Sequence, residues 1–274
     1  MTASDDCCAG RAVVVVKLGG SVLTEEAAFA RAARFLAGRL ESARGERYVA
    51  VVSAQEGWTD ELEREARGIW GEASARALDL LWATGELRSV ALMALHLEAL
   101  RVRAVGLNIA ETGLRVNRAA GGGVSLDAGR VHAALGEREV VVVPGFLGTN
   151  AEGTIVTLGR GGSDLTAVLL AAGLGAARCE LVKDVPGYFS ADPHGDAAAV
   201  HLPALTYAEA LELADRGCDL VQRRAIEAAE RAGIPVVVRD LDGSGLITVV
   251  SGAAAQFTPA EGPHTRGEEF RAGA

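Results

Sequence analysis

The sequence predicts an α/β protein in which helices cover both faces of a central, mostly parallel sheet, giving a three-layer αβα sandwich. Short apolar runs alternate with Ala-, Leu- and Glu-rich segments through most of the 274-residue chain. Runs that are apolar at every position are typical of strands buried on both faces. The strand-and-helix alternation indicates right-handed crossovers within one layered unit.

The elements follow from these patterns in chain order. β-Branched apolar runs predict strands at 12–16, 48–52, 103–107, 139–143, 179–182, 235–238 and 246–250. Apolar residues at helical spacing predict helices at 25–40, 73–100, 163–174 and 207–214. Gly, Asn and Thr interrupt the alternation at 110–126 and 146–158, which predicts β-hairpins projecting from the sheet.

Length and periodicity favour a single domain over residues 12–250, between a flexible N-terminus at 1–11 and a flexible tail at 251–274. No apolar run reaches 18 residues, and the start, MTASDDCCAGR, does not resemble a secretory signal. We therefore expect a cytoplasmic protein that does not enter a membrane.

Composition argues against two further classes. The net charge is -9 and no basic stripe is present, which disfavours nucleic acid as a partner. The four cysteines and five histidines show no metal-ligand spacing, so we expect reduced thiols and no protein-built metal site.

Lysine is rare in this chain. Of the 27 basic residues only two are lysines, Lys17 and Lys183. Lysine presents a compact point charge where arginine presents a flat fork, so the two are not interchangeable beside a single phosphoryl oxygen. The alternative is that base composition favours arginine and that two lysines survive by chance.

The first predicted strand leads into a glycine turn, Lys17-Leu18-Gly19-Gly20-Ser21, and then into a helix. Paired glycines allow backbone N–H groups to approach an anion, and a helix N-terminus adds a positive dipole. The turn matches neither the P-loop nor the Rossmann fingerprint. It predicts a phosphate cradle, with a tight structural turn and a surface lysine as the alternative.

Two more segments carry chemistry. In the segment 157–164, TLGRGGSD, Arg160 stands among three glycines, where a carboxylate could approach and pair with it. Ser163 or Asp164 could instead simply cap the following helix. The segment 183–189, KDVPGYF, and then Asp192 follow an apolar strand at its carboxyl end, where open α/β sheets bind ligands.

Six motifs occur in order between about residues 12 and 250: KLGGS, VVSAQEGWTDEL, ATGE, VVVPGFLGTNAEGTIVTLGRGGSDLTA, KDVPGYFSADP and GCDLVQRRAIEAAERAGIPVVVR. In this order they resemble the amino acid kinase family, and within it the catalytic domain of aspartokinases. The resemblance implies the amino acid kinase fold. Aspartokinases usually continue into C-terminal ACT domains, and this chain stops where those domains would begin. We therefore expect a catalytic domain without ACT domains and without allosteric control in cis.

The resemblance further implies roles for individual residues. Lys17 would neutralise charge on the transferred phosphoryl group, and Asp164 would orient Lys17 and contact the substrate ammonium. Glu86 would bind that ammonium and Arg160 a substrate carboxylate. The implied substrate-binding residues are Thr59, Glu86, Arg160 and Ser163, and the implied nucleotide-binding residues are Gly19, Gly20, Ser21, Lys183, Asp184, Tyr188 and Asp192.

The implied reaction is ATP-dependent phosphorylation of a small acidic amino acid, L-aspartate to 4-phospho-L-aspartate, with Mg²⁺ and in a homodimer. An amino acid with two carboxylates requires an arginine and an acidic partner, and phosphoryl transfer requires positioning and positive charge. Two alternatives stay open. One is the same chemistry on another amino or carboxylic acid in a specialised pathway, and the other is a non-catalytic, nucleotide-binding pseudokinase subunit.

The chain departs from the family pattern at three places. Ser21-Val22 replaces the usual Thr-Ser and loses one hydroxyl. His194 replaces an arginine and exchanges a permanent charge for a titratable one. Asp219 stands where the family commonly has a phosphate-contacting lysine, and a carboxylate there would repel phosphate by roughly 1 kcal/mol or more at about 4 Å.

Another cation could offset the charge of Asp219. Lys183 is one candidate, since many relatives have threonine there. Arg223 and Arg224 are the others, although both could simply lie on a solvated helix face. If Lys183 binds the nucleotide, Lys183→Ala should raise the apparent KM for ATP.

Overall fold

The computed structural model describes residues 11–117, 123–159, 161–193, 195–196 and 198–252. Its strands are β1 (Ala12–Leu18), β2 (Glu46–Val52), β3 (Ala104–Gly106), β4 (Leu114–Asn117), β5 (Gly123–Leu126), β6 (Val140–Pro144), β7 (Leu147–Thr149), β8 (Ile155–Thr157), β9 (Arg178–Lys183), β10 (Tyr188–Phe189), β11 (His201–Leu202), β12 (Ala204–Thr206), β13 (Val236–Asp240) and β14 (Ile247–Ser251). Its helices are α1 (Glu26–Ser42), α2 (Trp58–Ile69), α3 (Ala75–Ala99), α4 (Gly129–Glu137), α5 (Gly162–Gly173), α6 (Tyr207–Asp215) and α7 (Arg223–Ala232).

Eight strands form the central sheet, in the order β12-β14-β13-β9-β1-β2-β6-β3. All neighbouring strands are parallel except β13 and β14, which are antiparallel. The predicted α/β fold with a mostly parallel sheet is confirmed. Because β1 lies between β2 and β9, its carboxyl end opens at the middle of the sheet.

Side chains on the two faces of β1 belong to different cores. Val14 and Val16 pack in a core that includes residues of α1 and α3. Val15 packs in a second core that includes residues of α5 and α7. Helices thus cover both faces, as the three-layer prediction requires. Because side chains alternate along a strand, Lys17 points to the same face as Val15, the face that α5 covers.

The two predicted hairpins are present, but they do not stand alone. β4 pairs antiparallel with β5, and β7 pairs antiparallel with β8. β4 and β7 then pair with each other at Arg115 and Thr149, which gives a second sheet in the order β5-β4-β7-β8. The sequence patterns did not predict this junction, because it joins two segments that are distant in the chain.

Three helices, α2, α4 and α7, are additional to those predicted from periodicity. α2 buries a single residue, Leu62, so its apolar signal is weak. α7 buries Ala225, Ile226, Ala228 and Ala229, and its first two residues, Arg223 and Arg224, are the pair for which a helix face was one interpretation. α6 matches its prediction, and its start is set by a capping box between Thr206 and Glu209.

The predicted flexible ends, residues 1–11 and 251–274, lie almost wholly outside the described residues. The single-domain organisation of residues 12–250 stays a prediction. Within the described ranges, no helix combines the length and the apolar character that crossing a bilayer requires.

Candidate active site

The carboxyl ends of three neighbouring strands meet the start of α5. Lys17 is the penultimate residue of β1, Ser53 follows β2 directly, and Lys183 ends β9. The register pairs Lys17 with Val51 of β2 and with Leu181 of β9. This edge of the sheet therefore collects side chains from three separate segments of the chain.

Asp164, in the first turn of α5, binds both lysines. Its Oδ1 lies 2.9 Å from Nζ of Lys17, and its Oδ2 lies 3.0 Å from Nζ of Lys183. The side chains are 10%, 4% and 11% exposed for Lys17, Asp164 and Lys183. One buried carboxylate thus holds two ammonium groups.

The electrostatics of this cluster follow from burial and from its three charges. Burial acts to raise the pKa of Asp164, but Lys17 and Lys183 together outweigh it and hold that pKa below its ordinary value. The pKa of Lys183 lies below its ordinary value, chiefly because of burial. Asp164 acts to raise this pKa, and the charge of Lys17 acts to lower it. The site carries more positive than negative charge and is suited to an anion.

The glycine turn after β1 lies against the Lys17 ammonium group. The Gly19 carbonyl accepts hydrogen bonds from the N–H groups of Val22 and Leu23, both at 3.0 Å. A Cβ atom on Gly19 would lie 2.5 Å from Nζ of Lys17, so a side chain there would displace the ammonium group. Ser21 is exposed, whereas Val22 is buried in the core beside α1. The departure at Val22 therefore serves packing.

Glu86 is a buried carboxyl group on α3. Burial raises its pKa to about 8, although backbone hydrogen bonds from Ala54 and Gly145 and the charge of Lys17 favour its ionised form. Its Oε2 atom has no hydrogen-bond partner in the described structure. A buried acid with a free oxygen can accept a hydrogen bond from a bound cation.

Ser163, the residue before Asp164, contacts residues that periodicity did not single out. Its Oγ lies 3.0 Å from Oγ of Ser53. A Cβ atom on Gly145 would lie 2.8 Å from both Cβ and Oγ of Ser163, so only glycine fits there. Ser53 and Gly145 each follow a buried strand directly, and that position is the signal that could have identified them.

The remaining predicted residues differ in burial. Thr59 is half-buried in the first turn of α2, while Ser21, Asp184 and Asp192 are exposed. Tyr188 is fully buried and its hydroxyl group has no hydrogen-bond partner among the described residues. Burial, then the charges of Cys218 and Asp164, raise its pKa. The Tyr188 ring packs in the core.

Arg160 and His194 lie outside the described residues.

The candidate compensating cations differ in position. Arg223 pairs with Asp215 and, at 2.9 Å, with Glu227. Arg224 donates a hydrogen bond of 3.0 Å to the carbonyl of Leu158. Both arginines and Asp219 are exposed. Of the three candidate cations, Lys183 is the one that contacts Asp164 in the described structure.

Comparisons with known proteins identify the family to which this chain is similar. Residues 12–240 match the family model described as the amino acid kinase family. The chain is 38% identical over 230 residues to an aspartokinase of Thermus thermophilus, covering 83% of this chain and 56% of that protein. It is 39% identical over 201 residues to an aspartokinase of Geobacillus stearothermophilus, covering 73% and 49%. The chain spans about half the length of the curated relatives it matches.

The chain is also similar to solved structures of aspartate kinases. The crystal structure of an aspartate kinase from Synechocystis superposes with a TM-score of 0.79 at 34% identity, covering 90% of this chain and 41% of that one. The E. coli aspartokinase III in complex with aspartate and ADP superposes with a TM-score of 0.72 at 27% identity, covering 87% and 64%.

Proposed function

The chain belongs to the amino acid kinase family, and we propose that it is an ATP-dependent kinase that converts L-aspartate to 4-phospho-L-aspartate. The observation that carries the proposal is the Lys17–Asp164 ion pair of 2.9 Å, buried at the central strand ends beside a glycine turn. Such a site offers fixed positive charge. Fixed positive charge suits phosphoryl transfer, in which positioning and charge neutralisation dominate.

The reaction joins a carboxylate oxygen of the substrate to the γ-phosphorus of ATP. The bond from that phosphorus to the bridging oxygen breaks, and ADP leaves with the electron pair. Lys17 neutralises charge on the transferred group, and Asp164 holds Lys17 at the carboxyl end of β1. In this proposal the backbone of Gly19, Gly20 and Ser21 binds the phosphates, and Asp184 and Asp192 lie on the nucleotide side.

The acceptor is an amino acid in this proposal because Glu86 offers a buried carboxyl oxygen without a partner. That oxygen accepts a hydrogen bond from the substrate ammonium. In this proposal the hydroxyl groups of Ser163 and Thr59 contact the substrate, and Arg160 binds one of its carboxylates. Aspartate can contact all of these groups at the same time through its ammonium group and one carboxylate. Its second carboxylate is then left to attack phosphorus.

Magnesium fits this arrangement as an ion held chiefly by phosphate. The described residues contain no group of three or more His, Cys, Asp or Glu side chains that could hold a metal ion. Mg²⁺ usually retains water and binds through substrate phosphates with one or two carboxylates. When bound, it would supply positive charge that neutralises the phosphates.

The proposal extends to location and assembly. A cytoplasmic homodimer is what the resemblance to aspartokinases implies, and the described residues show no membrane-spanning helix. Sedimentation equilibrium on the purified chain measures the assembly: a mass near 28.2 kDa indicates a monomer and twice that mass the dimer.

The experiment is a coupled assay of ADP release with Mg²⁺, ATP and a panel of amino and carboxylic acids. We expect release that depends on L-aspartate, and trapping with hydroxylamine as the hydroxamate of an acyl phosphate. Lys17→Met, which removes the ammonium group and keeps an unbranched side chain of similar length, should abolish turnover, whereas exposed Arg67→Gln should not.

Three results would change this assignment. Turnover with another acid alone would reassign the acceptor. Unchanged activity in Lys17→Met would refute the mechanism. Absence of calorimetric binding of ADP or ATP with Mg²⁺ would exclude both the kinase and a nucleotide-binding pseudokinase.

A further inference from the structure

We propose that Lys183 is a second catalytic ammonium group, which acts on the transferred phosphoryl group together with Lys17 and shares its anchor, Asp164. This inference rests on the proposed kinase function. It assigns Lys183 to the reacting phosphate rather than to the nucleotide loop that follows it.

The first support is the placement of Lys183 in the sheet. β1 and β9 are parallel neighbours, and Lys17 is paired with Leu181. Lys183 lies two residues beyond Leu181, so its side chain leaves β9 on the same face as Lys17 leaves β1. Both ammonium groups therefore reach Asp164 from adjacent strands. Asp184, the next residue, is exposed and begins the loop.

The second support is the excess of positive charge. Asp164 Oδ1 is already matched by Lys17 at 2.9 Å, yet Nζ of Lys183 lies 3.0 Å and 3.3 Å from its two carboxylate oxygens. Glu86 is mostly neutral at pH 7, because burial raises its pKa to about 8. The charge of Asp184 also acts on Lys183, but Asp184 is exposed, where solvent screens it.

A buried ammonium group without its own counterion is costly, and a purely structural pair does not need it. The two lysines also repel each other, as the effect of Lys17 on the pKa of Lys183 indicates. An anion that contacts both ammonium groups removes this repulsion. The bound anion at this position in the proposed reaction is the phosphoryl group.

The third support is chemical. In phosphoryl transfer the charge spreads over three equatorial oxygens of the transferred group. Two compact ammonium groups, each a point charge on a flexible stem, can contact two different oxygens. Asp164 keeps them apart and in place before the reaction begins, so little reorganisation is needed.

The test uses Lys183→Gln in the full chain. Glutamine can still donate a hydrogen bond to Asp164 but lacks the charge, so it separates a structural role from a catalytic one. We expect kcat to fall by about 100-fold or more, as for loss of one transition-state donor. The Kd for ADP with Mg²⁺, measured by calorimetry, should change far less than kcat.

A second variant keeps the proposal testable if Lys183→Gln does not fold. Lys183→Ala leaves space for a small amine, and we expect ethylammonium to restore part of kcat while tetramethylammonium does not. Arg67→Gln, an exposed residue that loses the same charge, is the matched control.

The outcomes separate the two proposals. If the wild type turns over and Lys17→Met does not, a near-normal kcat in Lys183→Gln overturns only the role of Lys183. A rise in the KM for ATP at unchanged kcat also overturns it, since Lys183 would then act in nucleotide binding. If the wild type transfers phosphate to no acid, the kinase function and this inference are both wrong.

Discussion

Asp164 Oδ1 lies 2.9 Å from Nζ of Lys17, and Asp164 Oδ2 lies 3.0 Å from Nζ of Lys183. Asp164→Asn would leave two buried ammonium groups without this carboxylate. We expect a loss of about 3–5 kcal/mol in the free energy of unfolding, as when one partner of a buried ion pair is removed. Urea denaturation followed by circular dichroism measures it.

The control is the double variant Asp164→Asn with Lys183→Met. Removing one ammonium group should relieve the repulsion, so the double variant should be more stable than Asp164→Asn alone. If the two single losses simply add, the three side chains are not coupled in the way the structure indicates.

The pKa of Glu86 predicts a pH dependence of substrate binding. Burial raises this pKa from 4.5 to about 8, so the free protein holds a proton on Glu86 at pH 6. A substrate ammonium prefers the ionised carboxylate and must displace that proton. The KM for aspartate should therefore fall as pH rises from 6 to 8, measured with saturating ATP and Mg²⁺.

Glu86→Gln provides the control. Its KM for aspartate should be higher than that of the wild type and nearly independent of pH over this range.

Glu86 also makes the free energy of unfolding depend on pH. Between pH 4.5 and about 8 the folded protein binds a proton that the unfolded chain releases, so stability from this group falls as pH rises. Glu86→Gln should therefore be more stable than wild type at pH 8. In the kinetic experiment, a wild-type KM for aspartate that does not change with pH would argue against the raised pKa of Glu86.

Two glycines beside Arg160 provide a matched pair. Gly159 and Gly161 both have positive φ, +80° and +73°. Alanine at either position is strained by roughly 1–2 kcal/mol. Open space surrounds Gly159, but a Cβ on Gly161 would overlap the side chain of Gln222, whose Cβ would lie 2.7 Å away. Gly161→Ala should be clearly less stable than Gly159→Ala.

The same comparison probes the site. Gly161 is the N-cap of α5, so displacing it moves Asp164 in the first turn. We expect Gly161→Ala to reduce kcat more than Gly159→Ala does. Equal melting temperatures and equal kcat for the two variants would show that Gln222 moves aside freely.

A buried charge network on the opposite face of the sheet predicts acid sensitivity. Glu180 binds Arg178 at 2.6 Å and Arg39 at 2.8 Å, with its side chain 2% exposed. Burial acts to raise its pKa, but these arginines and Arg239 hold it below its ordinary value. Stability from Glu180 is therefore present above pH 4.5 and is lost as pH falls through the lowered pKa.

Glu180→Gln should lower the free energy of unfolding by about 3–5 kcal/mol at pH 7, because it leaves buried guanidinium groups with a poorer partner. Glu63→Gln, which breaks the exposed pair with Arg67, should cost about 0.5 kcal/mol or less. Denaturation at pH 7 and pH 4 measures both variants. Comparable small losses in the two would contradict the network.

The strands were predictable because burial on both faces makes a strand apolar at every position. All seven predicted strands are present. β1, which leads into the glycine turn, lies between β2 and β9, and β9 ends at Lys183. The pairing of β4 with β7 was not predictable, since it depends on contact between distant hairpins. α7 begins at Arg223, so Arg223 and Arg224 lie on a helix, as one of their two interpretations required.

In the candidate site, too, some residues were predictable from local sequence and others depend on contacts between distant segments. Lys17, the glycine turn, Ser163 and Asp164 stood out in local patterns. Ser53 and Gly145 did not, because their importance lies in the contacts they make with Ser163. Tyr188, expected beside the nucleotide, packs its ring in the core, and a one-dimensional pattern does not distinguish these two environments.

The sequence by itself determined the chemistry available to this protein: two lysines at strand ends, glycines beside them, and acidic residues in the motifs of the amino acid kinases. The tertiary structure decided that one carboxylate, Asp164, serves both lysines, and that Glu86 is buried deeply enough to hold a proton near pH 7. The reason is physical. Residue type sets which charge a side chain can carry, whereas its pKa and its partner depend on burial and on distances that packing between remote segments creates.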